Sequence, residues 1–179
     1  MFINTLPIIF TYTHLLESSE FFIGLVFVFF IIYFNAPAVS MKRDFGDYSQ
    51  GAVHGLTGRL YVHLLTLWLG QGNLKLAFWP FFIFINGLLY YIDYRIFNLT
   101  FTIASWKTAH FMVAIPCLWW LVAVWRCSIY TAHKFWASVA RFFTVCLIIE
   151  FGLRIFIVMQ YPNTFFDCAL LVVHYGDCF

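Results

Sequence analysis

The stretch FFIGLVFVFFIIYFNAPAV, residues 21–39, decides the fold class of this chain. It contains no charged side chain, and as an α-helix it would rise about 28 Å, close to the thickness of the hydrocarbon core of a bilayer. The acidic residues Glu17 and Glu20 precede it, and the basic residues Lys42 and Arg43 follow it. A cleavable signal peptide has basic residues before its apolar stretch, whereas this stretch has acidic residues there. We therefore expect a permanent membrane-spanning helix.

The composition of the whole chain also indicates a membrane location. Of its 179 residues, 63% are apolar and only 10% are Asp, Glu, Lys or Arg, whereas soluble domains carry about 25% charged residues. A bilayer solvates apolar surface directly, so these numbers exclude both a soluble globule and a disordered chain. The net charge is only +2, and the sequence contains no run of five or more basic residues. Both features argue against nucleic acid as a partner. The expected partners are the lipid bilayer and other membrane protein subunits.

The apolar segments predict an all-α, polytopic membrane protein with a single domain over residues 1–179. Four spans are predicted, at about 21–39, 75–94, 108–126 and 142–161. Short gaps between the later spans predict an antiparallel four-helix transmembrane bundle. Residues 56–69 have mixed polarity and are too short to cross, which predicts an additional interfacial amphipathic helix. The following GQGN, residues 70–73, is typical of a turn. Gly87, in the second predicted span, is expected to let a neighbouring helix approach closely.

The distribution of basic residues predicts the orientation of the spans. Seven fall on one side of the membrane, namely Lys42, Arg43, Arg59, Lys75, Arg126, Lys134 and Arg141, and two on the other, Arg95 and Lys107. Because cytoplasmic connections carry the excess of Lys and Arg, both termini are predicted to lie outside the cytoplasm. Trp79, Trp125, Arg126 and Trp136 lie near the predicted cytoplasmic ends of the spans, where we expect them to act as interface anchors.

Two charged residues lie inside the fourth predicted span. Glu150 and Arg154 are four residues apart, so they share one helical face and are predicted to form an intramembrane polar pair. A lone charge at that depth costs about 2.5–3.5 kcal/mol, and pairing lowers this cost. A structural ion pair is the favoured interpretation, and a proton or ion relay or a polar contact to another subunit is the alternative. Asp93 and Arg95 are expected to lie at the membrane interface without a further role.

His110, in the third predicted span, is the candidate cofactor ligand. A histidine on a helix of an aromatic-rich bundle suits haem or a chlorophyll-type tetrapyrrole. The competing interpretation, an ordinary hydrogen-bonded histidine and no cofactor, is the leading one.

The sequence offers no catalytic motif. It contains neither G-x-S-x-G nor H-E-x-x-H, and its five cysteines show no C-x-x-C spacing, so no catalytic residue and no metal site is predicted. Cys168 and Cys178 each follow an aspartate near the C-terminus. They could form a disulfide if that segment lies outside the reducing compartment.

Two segments carry a resemblance to other proteins. They are GNLKLAFWPFFIFINGLL, residues 72–89, and VAVWRCSIYTAHKFWASVAR, residues 122–141. The pattern G-x-L-x-x-A-F-W, then W-R-x-S-x-x-Y and W-A, is formed here by Gly72, Leu74, Ala77, Phe78 and Trp79, followed by Trp125, Arg126, Ser128, Tyr130, Trp136, Ala137 and Ala140. It resembles a group of small, uncharacterised bacterial inner-membrane proteins over roughly residues 70–150. The resemblance implies a bacterial inner-membrane location and no particular activity; Thr131 stands where that group usually has glycine.

These features together favour a non-enzymatic integral membrane subunit. It would assemble into or stabilise a larger membrane protein complex, such as secretion, conjugation, respiratory or transport machinery. Two alternatives belong to other functional classes. One is a haem- or pigment-binding membrane protein that uses His110, and the other is a small transporter component that uses Glu150 and Arg154.

Overall fold

The computed structural model describes Phe2 and residues 5–13, 17–36, 56–98, 100, 102–131 and 133–160. These residues form helices and turns and contain no strand, which confirms the predicted all-α class. The elements are α1 (Thr5–Ile8), one π-helical turn (Ile9–Thr13), α2 (Ser18–Asn35), α3 (Leu56–Trp68), α4 (Leu74–Phe97), α5 (Ile103–Ile129) and α6 (Lys134–Gln160). Cys168 and Cys178, with their predicted disulfide, lie outside the described residues.

Four of the helices, α2, α4, α5 and α6, are long and apolar enough to cross a membrane. This confirms the multi-pass organisation at the level of helix length and composition. The helices α5 and α6 have 27 residues each, so they are about 40 Å long. The helix α3 has only 13 residues, or about 20 Å, too short to cross.

The fourth span begins earlier than predicted, at Lys134 rather than at residue 142. Arg141, which the sequence analysis assigns to the preceding connection, therefore lies two turns inside α6 and is buried. Its Nε donates a hydrogen bond to Ser128 Oγ at 2.7 Å, and its guanidinium lies 4.9 Å from the ring centre of Trp125. A hydropathy boundary follows the first apolar run, whereas a helix continues through polar residues wherever its backbone hydrogen bonds can form.

The first span ends earlier than predicted, at Asn35 rather than at residue 39. Pro37 explains this end, because a proline disfavours the helical conformation of the residue before it. The side chain of Asn35 supports the last turn, where Nδ2 donates to the Ile31 carbonyl at 2.8 Å.

The turn between α3 and α4 is built around Gly70. The amide of Gly70 donates to the Leu67 carbonyl at 3.0 Å, and that of Gln71 to the Thr66 carbonyl at 2.9 Å. This is the Schellman pattern, which places the residue after the helix in the left-handed region, and Gly70 has φ +78°. Asn73 then caps α4, because its Oδ1 accepts a hydrogen bond from the Lys75 amide at 3.1 Å. The predicted turn is therefore present.

The chain divides into two compact units, each of which combines parts of several helices. The first comprises Met1–Val26, Phe84–Ile115 and Val145–Phe179, and the second comprises Phe27–Ile83 and Pro116–Thr144. In the second unit an aromatic cluster forms around Trp120, whose ring centre lies 5.6 Å from that of Phe78. The indole of Trp120 donates to the Ala77 carbonyl at 2.9 Å. This bond joins α5 to the turn of α4 that precedes Pro80.

Substitution of Gly70 by alanine should destabilise the protein. A side chain in the left-handed region costs about 1–2 kcal/mol, and the added Cβ would lie 2.9 Å from Arg126 Cβ. Gly24→Ala is the matched control, since nothing lies within 4 Å of a Cβ there. Unfolding of the purified protein in detergent should show a lowered free energy of unfolding for Gly70→Ala alone. Equal behaviour of the two variants would contradict the assigned turn.

Candidate functional site

A network of charged side chains lies inside the first unit, centred on Arg154 of α6. The guanidinium binds Asp93 of α4 through two parallel hydrogen bonds, with Nη1 2.5 Å from Oδ1 and Nη2 2.8 Å from Oδ2. Its third nitrogen, Nε, donates to Glu150 Oε1 at 2.9 Å. Such a planar, two-bond contact is the strongest arrangement that an arginine and a carboxylate form. All three guanidinium nitrogens of Arg154 therefore have carboxylate partners.

Glu150 links this network to the N-terminal segment. Its second carboxylate oxygen, Oε2, accepts a hydrogen bond from Thr5 Oγ1 at 2.9 Å. Thr5 opens the short helix α1 and is fully buried. The network thus connects three elements, α1, α4 and α6, that are far apart in sequence.

The network is almost entirely removed from the surface. Glu150 is 0% exposed, Arg154 is 3% exposed and Asp93 is 4% exposed. Two carboxylates face one guanidinium, so when both are ionised the three residues carry one excess negative charge. Burial of charges costs several kcal/mol per ion, and the cost is offset only where geometry and hydrogen bonding are good. Here each charged group has at least two hydrogen bonds to groups of opposite charge or to a hydroxyl.

The contact between Glu150 and Arg154 is the one that their spacing of four residues predicts. The expectation that Asp93 has no further role is wrong, because Asp93 is buried against Arg154. A sequence signal for this burial exists. Ile85, Leu89 and Ile96 form the buried face of α4, and Asp93 follows Leu89 by four residues, on that same face. Thr5 carries no such signal, because only the tertiary fold brings it to Glu150.

His110 lies two turns inside α5 and is buried in the same unit. Its Nδ1 is 3.0 Å from the Trp106 carbonyl, one helical turn earlier. The imidazole packs on the Trp106 ring with a centroid distance of 3.9 Å, and Phe151 of α6 approaches it at 5.9 Å. Its Nε2 is buried and has no hydrogen-bond partner among the described residues.

These contacts affect the hypothesis that His110 binds haem or a pigment. An axial ligand needs its Nε2 to face a space that the macrocycle can occupy, and in the described conformation Nε2 is enclosed by protein. Haem or pigment binding by His110 stays a hypothesis. Among the described residues there is no group of three or more His, Cys, Asp or Glu side chains that could hold a metal ion.

The predicted interface anchors lie in the second unit. Trp79, Trp125 and Trp136 all expose more than a third of their surface, as anchors at a lipid interface require. Arg126 has a more specific role. Its Nη1 donates to the Trp68 carbonyl at 3.0 Å, and its guanidinium lies 5.1 Å from the centre of the Trp68 ring. Arg126 therefore holds the C-terminal end of α3 against α5.

No protein-family model, no curated protein and no solved structure matches this chain. The resemblance to small bacterial inner-membrane proteins stays a prediction.

The charge count of the network predicts an unequal response to mutation. Arg154→Met would remove the cation that both buried carboxylates bind, which should lower the free energy of unfolding by about 3–5 kcal/mol. Asp93→Asn keeps the pair of Arg154 and Glu150 and removes the excess negative charge. The free energy of unfolding should therefore fall by less, about 1–3 kcal/mol. Lys107→Met is the control, because Lys107 is exposed on the same unit.

Unfolding of the three variants in one detergent, followed by circular dichroism, measures this order. A loss for Asp93→Asn that equals or exceeds the loss for Arg154→Met would show that the network is not organised around the arginine.

Proposed function

We propose that this chain is a non-enzymatic integral membrane subunit that assembles into or stabilises a larger membrane protein complex. The observation that carries this proposal is an exposed face of α4 in the first unit. Gly87, Tyr90, Tyr91 and Tyr94 lie on it at helical spacing, and all four are exposed. We call these four residues the glycine–tyrosine face.

Gly87 leaves an open notch in this face. A Cβ added at Gly87 would have no atom within 4 Å among the described residues. No described part of this chain packs closely on Gly87, so the expected close approach of a helix there stays a prediction. Small residues on a lipid-exposed helix let the backbone of another helix approach. The notch is thus available to a helix of another subunit.

The tyrosines beside the notch support the same interpretation. Tyr90 precedes the end of α4 at Phe97 by seven residues, or about 10 Å along the axis. Tyrosines in membrane proteins also concentrate at the lipid headgroups, but Tyr90 and Tyr91 lie deeper than the last turn. Aromatic side chains with a hydrogen-bonding group are enriched in protein interfaces. The glycine–tyrosine face therefore combines close backbone approach with hydrogen-bond donors inside an apolar surface.

The charge network supports a scaffold rather than a catalyst. Each nitrogen of the Arg154 guanidinium donates to a carboxylate inside the chain, so the arginine links α4 and α6. A small transporter component is the second candidate. The excess negative charge of the network and the buried Nε2 of His110 favour it, because ionisable groups inside a membrane often belong to proton pathways.

The proposal includes a membrane topology. The connections 98–102 and 130–133 are too short to return across a bilayer, which supports antiparallel neighbours among α4, α5 and α6 and an antiparallel four-helix bundle with α2. The short helix α3 would lie at the interface. With the basic connections on the cytoplasmic side, both termini would lie outside the cytoplasm. The location would be the bacterial inner membrane, as the resemblance in sequence implies.

A leucine at Gly87 should weaken assembly without weakening the fold. The new side chain meets no atom of the described chain within 4 Å of its Cβ, but it would fill the notch that a partner helix needs. Gly24→Leu and Gly152→Leu are matched controls, since nothing lies within 4 Å of a Cβ there either. Extraction from the native host in a mild detergent, followed by native mass measurement, should give the mass of the complex for the wild type and both controls. Gly87→Leu should give a reduced mass with an unchanged melting temperature.

A photo-crosslinking residue in place of Tyr90 gives an independent readout. It should yield one discrete protein adduct, whereas the same residue in place of the exposed Phe111 should yield lipid adducts. A wild-type protein that stays a monomer without co-purifying subunits, together with lipid adducts alone at Tyr90, would contradict the proposal.

A further inference from the structure

A cavity of about 560 Å³ lies in the second unit, between the first turns of α4 and those of α6. This volume is in the range of sites for small organic ligands, about 300–1,000 Å³. One end of the cavity is polar and is lined by Asn73, Lys75, Thr131 and His133. The remainder is apolar and aromatic and is lined by side chains that include Phe78, Trp79, Trp136 and Phe143. The cavity therefore has the two-part character of an amphiphile, with a polar end and an apolar body.

The charges described around the polar end favour an anion. In the described parts of the second unit, 27–36, 56–83, 116–131 and 133–144, the sequence has five basic residues and no Asp or Glu. Three of them bond to groups of the chain: Arg126 to the Trp68 carbonyl, Lys134 to the Phe34 carbonyl, and Arg141 to Ser128. Lys75 lies at the cavity and is exposed, as is His133. The positive charge at this end is thus available to a ligand.

Two further features favour an anionic group at this end. The helices α4 and α6 both begin at the cavity, at Leu74 and Lys134, and the N-terminal end of a helix carries a partial positive charge. Trp79 is 51% exposed and Trp136 is 55% exposed, so the aromatic wall opens to the outside of the protein. Indole rings at this position lie at headgroup depth in membrane proteins.

The geometry points to this cavity as the binding site of one anionic phospholipid. The phosphate lies at Lys75 and His133, and an acyl chain lies along Phe78, Trp79 and Trp136. This inference rests on the proposed placement of α4 and α6 in a bilayer. It goes beyond that placement, because bulk lipid solvates a helix without selecting a headgroup.

Tryptophan quenching by lipids with brominated acyl chains tests the site. The full-length chain is reconstituted in phosphatidylcholine vesicles that contain a small fraction of brominated phosphatidylglycerol or, separately, of brominated phosphatidylcholine. The anionic lipid should quench at a several-fold lower mole fraction, and Trp79→Phe with Trp136→Phe should remove this excess quenching, whereas Trp119→Phe should keep it. Lys75→Gln should lower the preference about fivefold, the contribution of one lysine near an anionic surface. His133→Gln is the second variant and should also lower the preference for the anionic lipid. Lys107→Gln is the control and should leave this preference unchanged.

The possible outcomes separate the two proposals. If neither brominated lipid quenches, the placement of these helices in lipid is wrong. Equal quenching by both lipids, or an unchanged preference in Lys75→Gln, would overturn the phospholipid site and leave the membrane placement intact. Loss of the preference on addition of inorganic phosphate at constant ionic strength would show that the cavity binds a soluble anion, which also overturns the proposal.

Discussion

A charge inside a bilayer has to be neutralised by the protein itself, because hydrocarbon offers neither water nor counterions. Arg154 meets this requirement through Asp93 and Glu150, and Glu150 in turn binds Thr5. These contacts fix the rotation of α6 and of α4 about their axes, since an arginine pointed at lipid would lose both partners. The position of the N-terminal segment follows from the same network. Apolar packing alone would not specify these rotations, because a lipid-facing side chain is nearly as well solvated as a buried one.

The described parts of the two units differ in their acidic residues. Described acidic residues, among them Glu17, Asp93 and Glu150, occur in the first unit, whereas the described part of the second has basic residues only. The proposed topology depends on the basic residues alone, because the positive-inside rule counts Lys and Arg, whereas Asp and Glu contribute little. The proposed lipid site uses one of these residues, Lys75.

Hydropathy predicts the four spans well, because helix length in a membrane is set by the thickness of the hydrocarbon core. It predicts their ends less well, as α6 shows by beginning at Lys134 rather than at residue 142. The contact of Glu150 with Arg154 is local and follows from a spacing of four residues. Asp93 and Thr5 lie 61 and 145 positions from their partners, and nothing in the local pattern specifies such distant pairs. The same limit applies to Arg126 and Trp68, whose contact depends on how α3 packs on α5.

The central claim is that α5 crosses the membrane, so that the connections at its two ends lie on opposite sides. Single cysteines at Thr100 and at Thr131, in a chain whose native cysteines are replaced by serine or alanine, test it with a membrane-impermeant thiol reagent applied to intact cells or to inverted vesicles. The account predicts that Thr100→Cys reacts only from the outer side and Thr131→Cys only from the cytoplasmic side. Reaction of both cysteines from the same side would contradict it.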